Sequence, residues 1–176
     1  MKIRNGFISN SSSTSFTFCF KGRSIKALIN LILTKYQKTF SRSFDEHHCN
    51  AWDVANAIEI CSSKVDKYSE SRFCKINEYI DYLKNKLESI IAQIKNTKNV
   101  ESYLVKWMNE DKLDLENKIQ KLQKAKKIGL NLVYCIEFGD NHGDISGGDL
   151  ENAMDYDGRY IDIDEKDFVV FTEQNR

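Results

Sequence analysis

The spacing of apolar residues changes several times along the chain, and each spacing predicts an element. Over 14–20 the aromatics fall at Phe16, Phe18 and Phe20, a period of two that predicts a half-buried strand with one phenylalanine face. Lys21-Gly22-Arg23 closes it. Ser24 then offers an N-cap for a helix over 25–37, in which Ile25, Leu28, Ile29, Ile32 and Leu33 recur at helical spacing. Residues 41–50 read as a polar connection and 51–61 as a short helix. From residue 64 the steps alternate between three and four, through Phe73, Ile76, Ile80, Leu83, Leu87, Ile90 and Ile94, a heptad seam. Asn96-Thr97-Lys98-Asn99 interrupts it. A second amphipathic run follows through Leu104, Trp107, Met108, Leu115, Ile119 and Leu122 to Lys127, and so short a break folds the two helices into an antiparallel hairpin.

Gly129 ends the second helix, and 130–138 is strand-like, with Leu132, Tyr134, Ile136 and Phe138 on one face and Val133 and Cys135 on the other. Residues 139–158 read as a loop, since glycines and acids crowd it, and 160–163 and 168–172 as two short strands. The expected fold is one α+β domain over 1–176. A small, mainly antiparallel sheet is built from both chain ends, and a long coiled-coil-like helical hairpin, 64–128, is inserted and projects from it.

Charge divides this picture lengthwise. Lys plus Arg equals Asp plus Glu at 26 each, so direct nucleic-acid binding is not favoured by net charge. Yet residues 1–63 carry 8 basic and 4 acidic side chains, 64–128 carry 15 and 10, and 129–176 carry 3 and 12. An acidic C-terminal quarter therefore faces a basic remainder, as internal complementarity or as a surface for a basic partner. Five irregularly spaced cysteines and the lack of an apolar leader after Met1 point to a reducing cytosol. The longest apolar stretch, 27–33, is too short to cross a bilayer, so no membrane span is expected.

Two stretches concentrate unusual chemistry. Six of the seven residues 9–15 carry hydroxyls, and Ser9, Asn10, Ser11, Ser12 and Ser13 form a candidate ligand or partner loop. Standard phosphate loops are glycine-rich and open a helix, whereas this run leads into a strand, so a packed loop whose short side chains bond backbone is the favoured reading. The acidic loop supplies the other half of the candidate site: Asp140, Asn141, His142, Asp144, Asp149 and Glu151. Its spacing is not that of an EF-hand. An exposed acidic turn is the simpler reading, and a surface that imitates phosphates to a basic partner is its best functional alternative. His47-His48-Cys49 with Cys61 matches no compact zinc module. On the hairpin, Trp107, Met108, Lys118, Lys121 and Lys124 form a candidate interaction arm, open to a partner helix or to a second copy. The lysines also suit a helix C-terminus.

Arg4, Gly6, Phe7, Ile8, Ser9, Asn10, Ser11, Ser12, Ser13, Thr14, Ser15 and Phe16 carry a resemblance. The opening resembles the pattern R-x-G-F-V-S-N-S-S-S-S-S-F that begins a group of small phage and bacterial proteins, departing by Ile8 for Val and Thr14 for Ser. Near the C-terminus 139–143 and 150–155 resemble, more loosely, that group's S-D-N-D-G and L-E-H-G-D. The resemblance implies a phage-associated origin, no particular reaction, and two ends that belong together. With no catalytic signature in the chain, the expected function is binding of a host macromolecule, a protein or ribonucleoprotein in the host cytosol. Such binding would inhibit a bacterial defence system, as an anti-CRISPR-type protein does, and no cofactor is implied. The alternative is a small metal- or nucleotide-dependent enzyme sited between the serine run and the acidic loop, with Asp140, Asp144 and Asp149 as ligands and His142 as base.

Overall fold

A computed structural model describes residues 13–44, 47–63, 69–96, 102–138, 155–156, 159–160 and 163–175. The phenylalanine strand is β1 (Ser13–Phe20), and it lies at the centre of a five-stranded sheet. On one side it pairs antiparallel with β5 (Leu132–Phe138), Thr14 opposite Phe138 and Phe20 opposite Leu132. On the other it pairs with β9 (Phe168–Asn175), Ser13 opposite Asn175 and Phe20 opposite Phe168. The edges are β4 (Ser69–Lys75), beside β5, and the two-residue β8 (Ile163–Asp164), beside β9, and every pairing is antiparallel. Mixed helix and strand with a long helical pair is the fold class the spacing predicts. One refinement concerns the sheet's origin, since β4 comes from the middle of the chain.

Alternation along the strands separates two cores. Phe16, Phe18, Phe20, Leu132, Tyr134, Ile136, Phe168 and Val170 face α1 (Ile25–Thr34), α2 (Gln37–Phe40) and α3 (Ala51–Ser63). Cys19, Val133, Cys135, Val169 and Phe171 face the hairpin, α4 (Ile76–Asn96) and α5 (Ser102–Lys127). The sheet is thus covered by helices on both faces. The expected half-buried strand is corrected, because Ser15, Thr17 and Cys19, on the face opposite the phenylalanines, are buried as well. The hairpin also does not simply project. Its base, through Ile76, Tyr79, Ile80, Leu83, Leu115, Ile119, Leu122 and Ala125, packs on the sheet.

Several boundaries move for local reasons. The first helix stops at Thr34, and a short second one begins at Gln37. Tyr36 turns the chain inward between them, its hydroxyl 2.8 Å from Asp167 Oδ1 and 3.2 Å from Glu165 Oε2. Ser24 stands at the first helix's N-cap without a side-chain capping bond. The segment 41–50 includes a small hairpin, β2 (Arg42–Phe44) with β3 (His47–Cys49), where a connection was expected. Asn50 and Asp53 cap α3 reciprocally: Asn50 Oδ1 accepts from Trp52 N–H at 2.8 Å, and Asp53 Oδ2 from Asn50 N–H at 2.7 Å. Phe73 belongs to β4 and stacks on Phe20 at 6.4 Å, so it is not the first residue of the seam. Strand and helix join at Lys75–Ile76 with no loop, which lets Phe73 and Ile76 fall three apart by coincidence. β6 (Asp155–Tyr156), inside the expected loop, pairs with β7 (Arg159–Tyr160), which meets the start of the strand expected over 160–163. Gly129, at φ +94°, ends α5 with Leu130 N–H bonded to Ala125 O at 3.2 Å, a left-handed cap.

Candidate functional site

Strand register brings the two motif-bearing stretches to one end of the sheet. β1 begins at Ser13 directly after the serine run, and β5 ends at Phe138 directly before the acidic loop; Thr14 and Phe138 are paired. β9 ends and β4 begins there too, since Asn175 pairs with Ser13 and Ser69 with Phe138. Ser9, Asn10, Ser11, Ser12, Asp140, Asn141, His142, Asp144, Asp149 and Glu151 lie outside the described residues. Of that candidate loop, Ser13 alone is described, as the first residue of β1.

Just inside this end, Ser15 stands in register between Glu137 of β5 and Glu173 of β9, with Glu70 of β4 next in the row. Lys118 reaches it from α5. The lysine is 7% exposed, its Nζ donates to Ser15 Oγ at 3.5 Å and lies 5.8 Å from the centre of the Tyr79 ring. Lys118 is therefore not a member of an exposed arm: its place on α5 points at the sheet. One turn on, Lys121 lies over the Phe171 ring at 4.9 Å, its residue exposed. Lys124 is exposed.

These contacts also show how far the hairpin outreaches the sheet. From Phe171 to Ser15 the contacts step toward the start of β1 as α5 is followed back from Lys121 to Lys118. From Lys118 back to Ser102, α5 continues for about 24 Å at 1.5 Å per residue, while β1 has two described residues ahead of Ser15. The outer half of the hairpin consequently extends past the described end of the sheet at Ser13 and Phe138. Its side chains lose cover: Leu87 and Ile90 are partly buried, and Tyr103 and Trp107 are 48% and 44% exposed. Tyr103 meets Trp107 edge-on at 5.3 Å, and Met108 beside it is half-buried. Tyr103 was missed from sequence, though its i, i+4 spacing to Trp107 was available as a signal.

Of the described cysteines, Cys19 and Cys74 lie toward the other end of the sheet, in the rows next to Phe20 and Lys75. Burial pushes the Cys19 thiol far above its ordinary range and raises that of Cys74, so both are held as neutral thiols. Cys135 accepts a hydrogen bond from Thr17 Oγ1 at 3.5 Å under the hairpin, and Ser15 is buried and bonded to Lys118. No three metal-capable side chains gather among the described residues. No described helix is long and apolar enough to cross a membrane. What this end presents among the described residues is a pair of exposed aromatics, Tyr103 and Trp107, on the outer part of α5. No protein-family model, curated protein or solved structure matches the chain.

Proposed function

We propose that the chain is a phage-derived binding protein that acts on a host macromolecule, a protein or ribonucleoprotein, and blunts a bacterial defence system in the way an anti-CRISPR-type inhibitor does. The overhanging outer half of the hairpin carries this reading. A helix pair extended past its sheet with Tyr103 and Trp107 uncovered is costly for a free monomer and useful to a binder, because aromatic side chains dominate binding energy at interfaces. The resemblance of residues 4–16 to phage-encoded openings supports the host setting.

The test is affinity purification of the tagged protein from host lysate beside a Tyr103→Ser/Trp107→Ser variant that melts like the parent. The expected result is a reproducible partner captured by the parent and lost by the variant. A partner retained equally by both sinks the arm, and the absence of any partner sinks the reading. Sedimentation at several concentrations reports whether a second copy occupies the arm instead.

A further inference from the structure

The opposite end of the sheet is tied together by one residue, Asn131. Asn131 donates its backbone N–H to Phe20 O at 3.2 Å and accepts from Ile76 N–H at 3.0 Å. Its side chain brackets Gly22, Oδ1 accepting from Gly22 N–H at 3.1 Å and Nδ2 donating to Gly22 O at 3.0 Å. The exits of β1 and β4 and the end of α5 are thereby clasped. Each carries exposed cations: Lys21 and Arg23 flank Gly22, Lys75 precedes α4, whose Glu78 accepts from the Lys75 N–H at 3.1 Å, and Lys124, Lys126 and Lys127 end α5. Beside the clasp an open groove of about 500 Å³ runs between the bases of α4 and α5, lined by Asn77, Asp81, Lys84, Gln123, Lys126 and Lys127.

Three ammonium groups against one carboxylate give this groove a positive balance, and none of the three makes an ion pair among the described residues. A helix C-terminus accounts for Lys126 and Lys127. It does not account for Lys84, in the middle of α4, facing the same space. Ammonium groups on flexible stems suit phosphates as point charges, and the side-chain amides of Asn77 and Gln123 add donors at neighbouring positions. No aromatic ring lines the groove to replace the stacking that a single strand's bases seek. A duplex keeps its bases stacked internally and presents phosphates outward. We infer that this groove and the basic exits beside it bind the phosphate backbone of a nucleic-acid duplex, independently of sequence. Zero net charge conceals the surface because many of the compensating acids fall in the C-terminal quarter; of these, Asp164, Glu165 and Asp167 share this end of the sheet on the far side of β9, where Asp167 is paired with Lys35.

The experiment is fluorescence anisotropy with a labelled DNA duplex of about 20 base pairs, titrated with the full chain from low to physiological salt. Three phosphates neutralised in the groove alone contribute about −2.7 to the slope of log K against log salt, at 0.9 per phosphate, and the exits steepen it further. The Lys84→Gln/Lys126→Gln/Lys127→Gln variant, all at exposed positions, is expected to bind at least about 10-fold more weakly at low salt and to lose most of the groove's contribution to the slope. Lys106→Gln/Lys112→Gln on the outer half of α5, where both lysines pair with glutamates at 3.8 and 3.6 Å, is expected to bind like the parent. Absence of duplex binding at low salt, an unchanged slope in the triple variant, or tighter binding of the matching single strand overturns the inference. So does saturable binding of inorganic triphosphate without duplex binding. These residues lie at the base of the hairpin, away from Tyr103 and Trp107, so either surface can fail alone.

Discussion

Replacing Leu83 and Leu87 by alanine, one at a time, measures where the sheet stops supporting the hairpin. The two residues are successive members of one seam on α4. Leu83 is 3% exposed and belongs to the core between sheet and hairpin, whereas Leu87 is only partly buried against that core. Full burial of a leucine side chain is worth about 1.5 to 3 kcal/mol, and the cavity left by truncation brings the usual cost to about 2 to 5. We expect about 3 kcal/mol at Leu83. At Leu87 part of the side chain stays in water and the surroundings can relax, so about 1 kcal/mol is expected. At about 2 to 4 °C per kcal/mol for a chain of this size, the melting temperature falls by about 6 to 12 °C in the first variant and 2 to 4 °C in the second. Urea unfolding followed by far-ultraviolet circular dichroism, with Lys84→Ala as a surface control that should be nearly silent, gives both values. Equal losses at the two positions refute the overhang. A loss at Leu87 that grows with protein concentration means that a second copy covers the outer half.

Asn131→Ala removes both side-chain bonds to Gly22 and should cost about 1 to 3 kcal/mol, while Asn131→Asp keeps the acceptor for Gly22 N–H and should lose less; chemical denaturation ranks the two. Gly22→Ala should destabilise by about 1 to 3 kcal/mol, because a Cβ there would stand 2.7 Å from Ala27 Cβ, and a milder loss in Gly22→Ala/Ala27→Gly would confirm the clash. Stability should also fall at both pH extremes through one cluster. Lys35, and next Tyr36, hold the Asp167 carboxyl below its ordinary 3.8, so its contribution is complete above that value and lost as pH falls through the lower folded value. Burial, and next Asp167, push the Tyr36 hydroxyl above its ordinary 10, so its contribution is complete below pH 10 and lost as pH rises through the folded value. Urea midpoints against pH should show Tyr36→Phe with a shallower alkaline limb than the parent; identical limbs would remove Tyr36 from the account.

The elements were legible in the sequence wherever one stretch of chain carried its own period. Phe16, Phe18 and Phe20 alternate because a strand turns successive side chains to opposite faces, and the seam from Ile76 to Ile94 recurs because a helix returns every three to four residues. Gly129 announced its cap because φ +94° is open to glycine at little cost. Tertiary structure decided everything that depends on residues far apart along the chain. Nothing local says that Ser15 and Thr17, polar members of an apparently half-exposed strand, are buried, because the cover comes from α5, about a hundred residues later. Nothing in the lysine-rich end of α5 distinguishes Lys118, buried on Ser15, from Lys126 and Lys127, which line the groove. β4 was hidden because its Phe73 kept step with the helical seam, and only pairing with β5 reveals it as a strand. The clasp of Asn131 on Gly22 spans 109 residues and leaves no periodic trace. Charge shows the same limit: summed over the chain it is zero, and only folding draws the lysines at the exits of β1 and β4 and at the end of α5 together, at the same end as the acidic turn of residues 164–167.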